Sequence, residues 1–388
     1  MNIALVFNGL GTGGVEKVGS NYAKLLVEAG HEVDVYNLTP KLHSMENRFP
    51  KETTIIRKSF PLLLVPGYYI LLVKKYTWGK YVYPIIYFMT TILLQLRKLF
   101  AGNKKKYDIA IAFSGHLRDL TFVAQELVQA DKKVCWVHGA MISNLATAST
   151  YGDLYAKIKN VCVLSEHMQE LAIYNNRKLA DLNIRKIYNP VTLPQAEYDV
   201  KLCEELKKKY GDYLLMVGRF ETDKDQLTVI RARKILEEKY QLKPKLVFVG
   251  GGSTLKKCKA YAEKIGLKND VVFMGERQDV QNFYASAKVF VHSSPAEGLP
   301  TVLLEAMNYG LPVVATDSPP GVSEILQNDK YGIRCNIADP YDMADKLAIM
   351  LTDTEKREHY SSKGKERLEV FSFEKISVKL KELLASLK

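Results

Sequence analysis

Short apolar runs rich in Val and Ile recur along the chain, each separated from the next by a stretch with helical spacing of apolar and polar positions. The runs Asn2 to Phe7, Glu32 to Leu38, Asp108 to Phe113, Val134 to His138, Val161 to Leu164 and Ile184 to Tyr188 predict strands alternating with helices, the rhythm of a parallel sheet. It restarts after Asn189-Pro190 with Tyr213 to Val217, Lys245 to Val249, Val271 to Met274, Val289 to Val291 and Val313 to Thr316. The pattern therefore predicts an α/β protein with two doubly wound sheets. The boundary falls at Pro190 to Pro194, ahead of the charged helical pattern Tyr198 to Tyr210. A last helix, Phe373 to Leu387, lies beyond what the second sheet needs. Ligands of open α/β sheets bind beyond the carboxyl ends of the strands, so useful residues are expected just after strands, and two facing sheets would leave a cleft.

At 388 residues the chain exceeds one ordinary hydrophobic core, in keeping with two sheets. With 47% hydrophobic and 25% charged residues and no long biased tract, it reads as folded throughout. Cys135, Cys162, Cys203, Cys258 and Cys335 are odd in number and scattered, without a C-x-x-C pair; they offer neither a zinc clip nor a redox couple and suit a reduced, cytoplasmic setting. Met1 to Phe7 has no positive leader and runs into a glycine loop, so it predicts a first strand and no secretion.

Charge adds a feature that periodicity does not show. The net charge is +12, and residues 51–106 hold eleven Lys/Arg against the single acid Glu52, which is +10 of that total. The cations are interleaved with apolar and aromatic residues and no nucleic-acid motif accompanies them, so a membrane surface fits better than a nucleic acid. The apolar stretches 60–73 and 81–96 are shorter than the ~20 residues a spanning helix needs. Tyr68, Tyr69, Tyr76, Tyr81, Tyr83, Tyr87 and Trp78 are residue types that settle at a headgroup boundary. Lysines such as Lys104, Lys105 and Lys106 would supply the electrostatic part, although a buried helix of the first sheet explains part of the second stretch.

Candidate chemistry follows strand ends. Gly9, Gly11 and Gly14 formally match G-x-G-x-x-G between a strand and a helix, but Val35-Tyr36-Asn37-Leu38 lacks the acid that would meet an NAD ribose. The loop either cradles an anion at a helix N-terminus or simply makes a tight turn. Arg219 and Lys224 follow the strand Tyr213 to Val217, where a fork and a mobile point charge suit a diphosphate. Asp223-Lys224-Asp225 spells D-x-D, a metal-diphosphate signal, but the intervening lysine competes for the same phosphate, and the reading is against a metal. After Val289 to Val291 comes Glu297-Gly298-Leu299-Pro300-Thr301-Val302, with Pro300 at the first position of a helix and Glu305 in its second turn. Free amides there would point at a phosphate or sugar, and the carboxylates would accept from sugar and ribose hydroxyls; a capped amphipathic helix with Glu305 exposed is the plainer alternative. His138 ends a strand of the first sheet and is followed by a glycine.

Together these residues resemble a family 4 glycosyltransferase with the GT-B fold. The likeness runs nearly end to end through Gly13-Gly14-Val15-Glu16, Trp136-Val137-His138, Ser165-Glu166, Tyr188-Asn189-Pro190-Val191, Gly218-Arg219 with Lys224, and Gly250-Gly251-Gly252. Most specific are Glu297 and Glu305 with seven residues between them, an E-x7-E signature. The resemblance implies two Rossmann-like domains facing an interdomain cleft: an acceptor domain over 1–190 with a membrane-associating segment 60–106, a nucleotide-sugar domain over 191–370, and a helix over 371–388 returning to the first domain. It implies a metal-independent, cofactor-free reaction of the hexosyltransferase type that retains anomeric configuration. Arg219 and Lys224 would hold the diphosphate, Glu305 the ribose, and Gly275, Glu276 and Arg277 the base. Glu297 and the backbone of Gly298, Leu299, Pro300, Thr301 and Val302 would contact the donor sugar and phosphate, while Gly13 and Gly14 would form an acceptor or phosphate loop. His138 and Glu297 are the catalytic-site residues, with no proton role assigned.

The segment 60–100 is more apolar and basic than the family requires. It points to a UDP-sugar-dependent enzyme extending a lipid-linked or glycolipid acceptor in surface polysaccharide or glycan biosynthesis, peripherally held at the inner face of the membrane. An NAD-dependent oxidoreductase and a non-catalytic membrane-surface scaffold are the alternatives, the first weakened by the missing acid and the second by the paired cations and glutamates.

Overall fold

Apolar strands covered by helices on both sides build two parallel sheets in a computed structural model that describes residues 1–70, 75–99, 105–138, 145, 150–165, 179–190 and 197–387. Glu166, Val191 and Lys104 lie outside the described residues. The first sheet contains β1 (Asn2–Phe7), β2 (Glu32–Asn37), β3 (Thr54–Arg57), β4 (Tyr107–Ala112), β5 (Ala130–Val137), β6 (Asn160–Val163) and β7 (Asn183–Lys186), in the order β3-β2-β1-β4-β5-β6-β7. Around it lie α1 (Gly14–Glu28), α2 (Gly79–Leu99), α3 (Leu117–Ala124) and α4 (Thr150–Ile158). β1 and β4 are almost wholly apolar and buried, as is the second half of β5 from Val134 to Val137, which is why their rhythm is so plain in the chain.

The second sheet alternates with equal regularity. In chain order it runs α5 (Val200–Tyr210), β8 (Leu214–Val217), α6 (Gln226–Tyr240), β9 (Leu246–Val249), α7 (Leu255–Lys264), β10 (Val271–Phe273), α8 (Val280–Ser286), β11 (Val289–His292) and α9 (Thr301–Asn308). It continues with β12 (Val313–Thr316), α10 (Gly321–Leu326), β13 (Ile333–Cys335), α11 (Pro340–Thr352) and α12 (Thr354–Leu368). Its order is β10-β9-β8-β11-β12-β13, and every pairing is parallel. Both sheets are thus doubly wound, each with one place where strand order reverses. The second core forms where α6 and α11 press Val229, Leu236, Met343 and Leu347 onto Leu246, Val291 and Val314.

Contacts divide the chain into Met1–Pro190 with Phe373–Lys388, and Val191–Ser372. The last helix, α13 (Phe373–Ser386), is part of the first unit. It buries Ile376, Leu380, Leu383 and Leu384, the spacing of one helical face. Leu387 just beyond it lines a cavity of about 410 Å³ with Met1, Ile109 and Asp131.

Some elements differ from the sequence expectation. β3 and β13 are edge strands, four and three residues long, too short to show a period. β5 starts at Ala130, ahead of the apolar run, because Lys132 and Lys133 pair through the backbone with Ile109 and Ala110 whatever their side chains do. α2 has 21 residues, more than the apolar stretch it contains; no helix among the described residues is long and apolar enough to cross a membrane.

Candidate functional site

In the second sheet the order reverses between β8 and β11, which lie side by side through Val289 and Leu214. Loops leave that point in opposite directions and open a crevice at the strand carboxyl ends. The loop after β8 carries Arg219 to Lys224, and the loop after β11 carries Glu297. Ser293, fully buried at the end of β11, joins them: its hydroxyl lies 2.9 Å from the carbonyl oxygens of both Lys224 and Asp225.

Across that staple Lys224 Nζ donates to Glu297 Oε1 at 2.6 Å, and it lies 3.4 Å from Asp223 Oδ2. His292, the buried last residue of β11, brings Nε2 to 3.3 Å from the same Glu297 oxygen without completing a hydrogen bond. Burial pushes the Glu297 carboxyl up, but the His292 ring and the Lys224 ammonium outweigh it and hold the group at about 2. Glu297 is therefore a carboxylate at any physiological pH. Its carbonyl accepts from Gly321 N at 2.9 Å, which ties its backbone to the loop after β12.

Pro300 precedes α9 as its N-cap in extended conformation, ψ 98°, and Thr301 opens the helix, one residue later than expected. The close approach of Gly321, where a Cβ would stand 2.8 Å from Pro300 Cδ and 2.5 Å from Gly298 O, holds this turn. Among the described residues the amides of Gly298, Leu299, Thr301 and Val302 have no backbone acceptor outside the helix. They form a donor array at a helix N-terminus. Glu305 is half-buried, and Oε2 accepts from Tyr284 OH at 3.0 Å; Tyr284 in turn stacks on Tyr309, with ring centroids 5.8 Å apart. It is not the exposed acid of the plainer alternative.

Arg219 is exposed, and its carbonyl accepts from Gln226 Nε2 at 2.8 Å. Gly250 and Gly252 (φ 144° and 146°) press against that loop: a Cβ would come within 2.0 Å of Gly218 O and 2.4 Å of Phe220 O respectively. Gly250 N also donates to Gly275 O at 2.8 Å, so Gly275, the first of the three residues expected to meet the base, adjoins the same edge. Glu276 is exposed, and Arg277 is committed to a two-pronged pair with Asp279 at 2.8 and 2.7 Å. The D-x-D carboxylates are likewise engaged, Asp223 facing Lys224 and Asp225 accepting from Thr228 Oγ1 at 2.6 Å. No group of three or more His, Cys, Asp or Glu gathers as metal ligands among the described residues.

In the first unit, order reverses between β1 and β4. The glycine loop after β1 is packed against the 39–46 loop, with Leu10 N donating to Leu42 O and Met45 N to Leu10 O at 2.9 and 3.0 Å. Nothing within 4 Å would meet a Cβ on Gly14, whereas one on Gly19 would strike Phe7 at 2.4 Å. Close helix-to-strand contact, the task of the third glycine in a dinucleotide fingerprint, thus falls on Gly19. Asn37, where an acid would meet ribose, spends its amide on Leu42 O and Glu46. At Gly13 the Glu16 carboxylate folds over the helix N-terminus, 2.3 Å from where a Cβ would be. His138 follows β5; its Nε2 lies 2.8 Å from Phe113 O, and its Nδ1 has no partner among the described residues. Burial lowers its value to about 4, so the ring is neutral at pH 7, with Nε2–H donating and Nδ1 left as an acceptor.

The structure thus joins Lys224 to Glu297, sets Arg219 and the α9 amides at the same sheet edge, and places Glu305 one turn along α9. The sequence pattern gives His292 and Tyr284 no role, and it includes Ser293 and Ser294 only as the start of the stretch that leads to Glu297. Among the described residues the buried Ser294 hydroxyl and both His292 nitrogens complete no hydrogen bond, a concentration of unmet polar groups beside Glu297. The trace of His292, Ser293 and Ser294 in the sequence is a polar trio ending the apolar run Val289 to Val291.

Residues 202–367 match the family model described as glycosyl transferases group 1. An uncharacterized glycosyltransferase of Methanocaldococcus jannaschii is 27% identical over 54% of this chain, which spans 61% of that relative's length. Another from Haemophilus influenzae is 25% identical over 96% of both chains. A Campylobacter jejuni N-acetylgalactosamine-N,N'-diacetylbacillosaminyl-diphospho-undecaprenol 4-alpha-N-acetylgalactosaminyltransferase is 28% identical over 49% of this chain and half of its own. The crystal structure of Anabaena Alr3699/HepE in complex with UDP superposes with a TM-score of 0.72 over the whole of both chains at 18% identity. The chain therefore has the GT-B fold, and its residues 202–367 are similar to the group 1 glycosyl transferases.

Proposed function

We propose that the protein is a retaining family 4 glycosyltransferase of the hexosyltransferase type. It moves a sugar from UDP to a lipid-linked or glycolipid saccharide at the inner face of a membrane, in surface polysaccharide or glycan biosynthesis. The observation that carries this reading is the ion pair between Lys224 and Glu297 at the switch point of the second sheet. Cleavage of the bond between sugar C1 and the diphosphate leaves negative charge on the departing oxygen, and preorganised cations there lower the barrier. Of the three ammonium protons on Lys224, one is given to Glu297, and the others can meet the diphosphate beside the Arg219 fork. Glu297, ionised at about 2, accepts from sugar hydroxyls, and the amides from Gly298 to Val302 meet the donor from the helix end. Glu305 holds the ribose diol with the oxygen that Tyr284 leaves open. His138 Nδ1 offers an acceptor for a hydroxyl of the incoming saccharide.

No resident metal is invoked, because Lys224 already supplies a cation 3.4 Å from Asp223, and Asp225 is engaged by Thr228. The UDP in the Anabaena neighbour supports UDP as the nucleotide, and the diphospho-undecaprenol in the name of the Campylobacter relative supports a lipid-linked acceptor. A panel of nucleotide sugars, assayed for nucleotide release with membrane lipid extract and chelator, tests the reading. UDP release that survives chelation is expected, with an unchanged anomeric configuration in the product. Lys224→Ala and Glu305→Ala proteins releasing UDP as fast as the parent would sink the site assignment.

A further inference from the structure

Twelve of the nineteen large apolar side chains exposed among the described residues fall between Leu62 and Leu96. On α2 they are ordered: Tyr81, Ile85, Phe88, Met89, Ile92 and Leu96 follow spacings of three and four and share one face. Tyr81 is 70% and Phe88 66% exposed, whereas Thr90 and Leu94 on the opposite face are buried. That inner face is anchored. Tyr83 OH lies 3.2 Å from Thr150 Oγ1, and Gln95 Nε2 donates to Gln125 Oε1 at 3.3 Å.

The charges around the face choose its occupant. α2 contains no acid, and Lys75, Lys80 and Arg97 at its two ends pair with no carboxylate among the described residues. Lys75 and Lys80 lie over the Tyr76 and Tyr81 rings at 5.2 and 4.9 Å, and Tyr76 stacks on the half-exposed Trp78. By contrast, Lys105 bridges Glu32 and Asp34, and Lys106 meets Asp131 at 2.5 Å. The excess charge of residues 51–106 is therefore partly neutralised by acids on β2 and β5, and Lys75, Lys80 and Arg97 remain without a carboxylate among the described residues. A second copy seated there would set like charges against one another. An anionic lipid surface meets both the cations and the apolar stripe.

We propose that the outer face of α2 lies in the interface of an anionic bilayer, helix axis along the membrane plane, with Lys75, Lys80 and Arg97 among the headgroups and Phe88 and its neighbours below them. The inference deepens the lipid-acceptor reading and rests on it. It is tested with the full chain and vesicles of equal parts phosphatidylcholine and phosphatidylglycerol. The parent should co-sediment and shift Trp78 emission to the blue, since Trp136, the second tryptophan, is buried throughout. The Ile85→Ser/Phe88→Ser/Ile92→Ser protein should bind at least about tenfold more weakly, as losing even one buried large side chain implies. Lys75→Glu/Lys80→Glu should weaken binding and flatten its salt dependence. All of these changes are at exposed positions, and stabilisation by UDP reports the donor site separately. UDP stabilisation without vesicle binding would overturn this inference and leave the donor reading standing; vesicle binding without UDP stabilisation would do the reverse. A parent dimer that the serine variant converts to monomer, with vesicle binding unchanged, would assign the face to a second copy and overturn the proposal.

Discussion

At the scale of single residues, the pair between Lys224 and Glu297 has two separable consequences. Lys224→Ala leaves a carboxylate only 14% exposed beside an uncompensated site, so the protein should melt lower as well as lose turnover. Loss of one such charge contact should lower kcat/KM by about 10²- to 10³-fold. Adding Glu297→Gln to that variant should recover melting temperature but not rate, a coupling that a double-mutant cycle measures. The pH dependence has a definite sign. Glu297 is depressed from 4.5 to about 2, so its contribution to stability is complete above pH 4.5 and is lost as pH falls toward 2. His138 is depressed from 6.5 to about 4; the unfolded chain takes up its proton first, and stability falls between those values on acidification. Melting temperature followed from pH 7 downward should fall through the His138 window before the Glu297 window, and His138→Asn should remove the upper part only.

At the scale of elements, the loops after β8, β9 and β11 act as one assembly. Gly252→Ala would place a methyl 2.4 Å from Phe220 O at a φ of 146°, which should cost about 2 kcal/mol or more and displace the Arg219 to Lys224 loop. A fall in both melting temperature and UDP affinity is expected, whereas Tyr284→Phe, which removes one hydrogen bond to Glu305, should weaken UDP binding only about fivefold. Both are read by calorimetric titration. The same elements show what the chain displays openly. β8, β9, β11 and β12 are buried on both faces, so their apolar runs are visible, and the residues just beyond their ends could be picked out one by one. The contact of Lys224 with Glu297 joins residues far apart in the chain through Ser293, and no local period encodes it. His292 was hidden because a polar residue ending a strand looks like the start of a loop. Pro300 caps the helix where the sequence pattern predicts its first residue, because a φ of −72° suits a first helical turn and a cap alike; Gly321, packed against it, decides.

At the scale of the whole molecule, each unit keeps its own sheet and its own reversal of strand order. UDP should therefore slow hydrogen exchange at 218–224, 250–254 and 297–305, all in the second unit, and leave β1, β4 and β5 as they were; mass spectrometry of deuterated peptides would detect a different distribution. The closing helix adds a consequence of connectivity. Because α13 follows the second unit but is part of the first, a stop after Ser372 should loosen β1 and β4 while the Val191–Ser372 region still binds UDP. In the terms of an engineer, the Val191–Ser372 unit is a cassette spliced into its host at two peptide junctions, so on the proposed function a homologous cassette exchanged there should change the donor preference and leave the acceptor preference with the host, as a panel of donors and acceptors would measure.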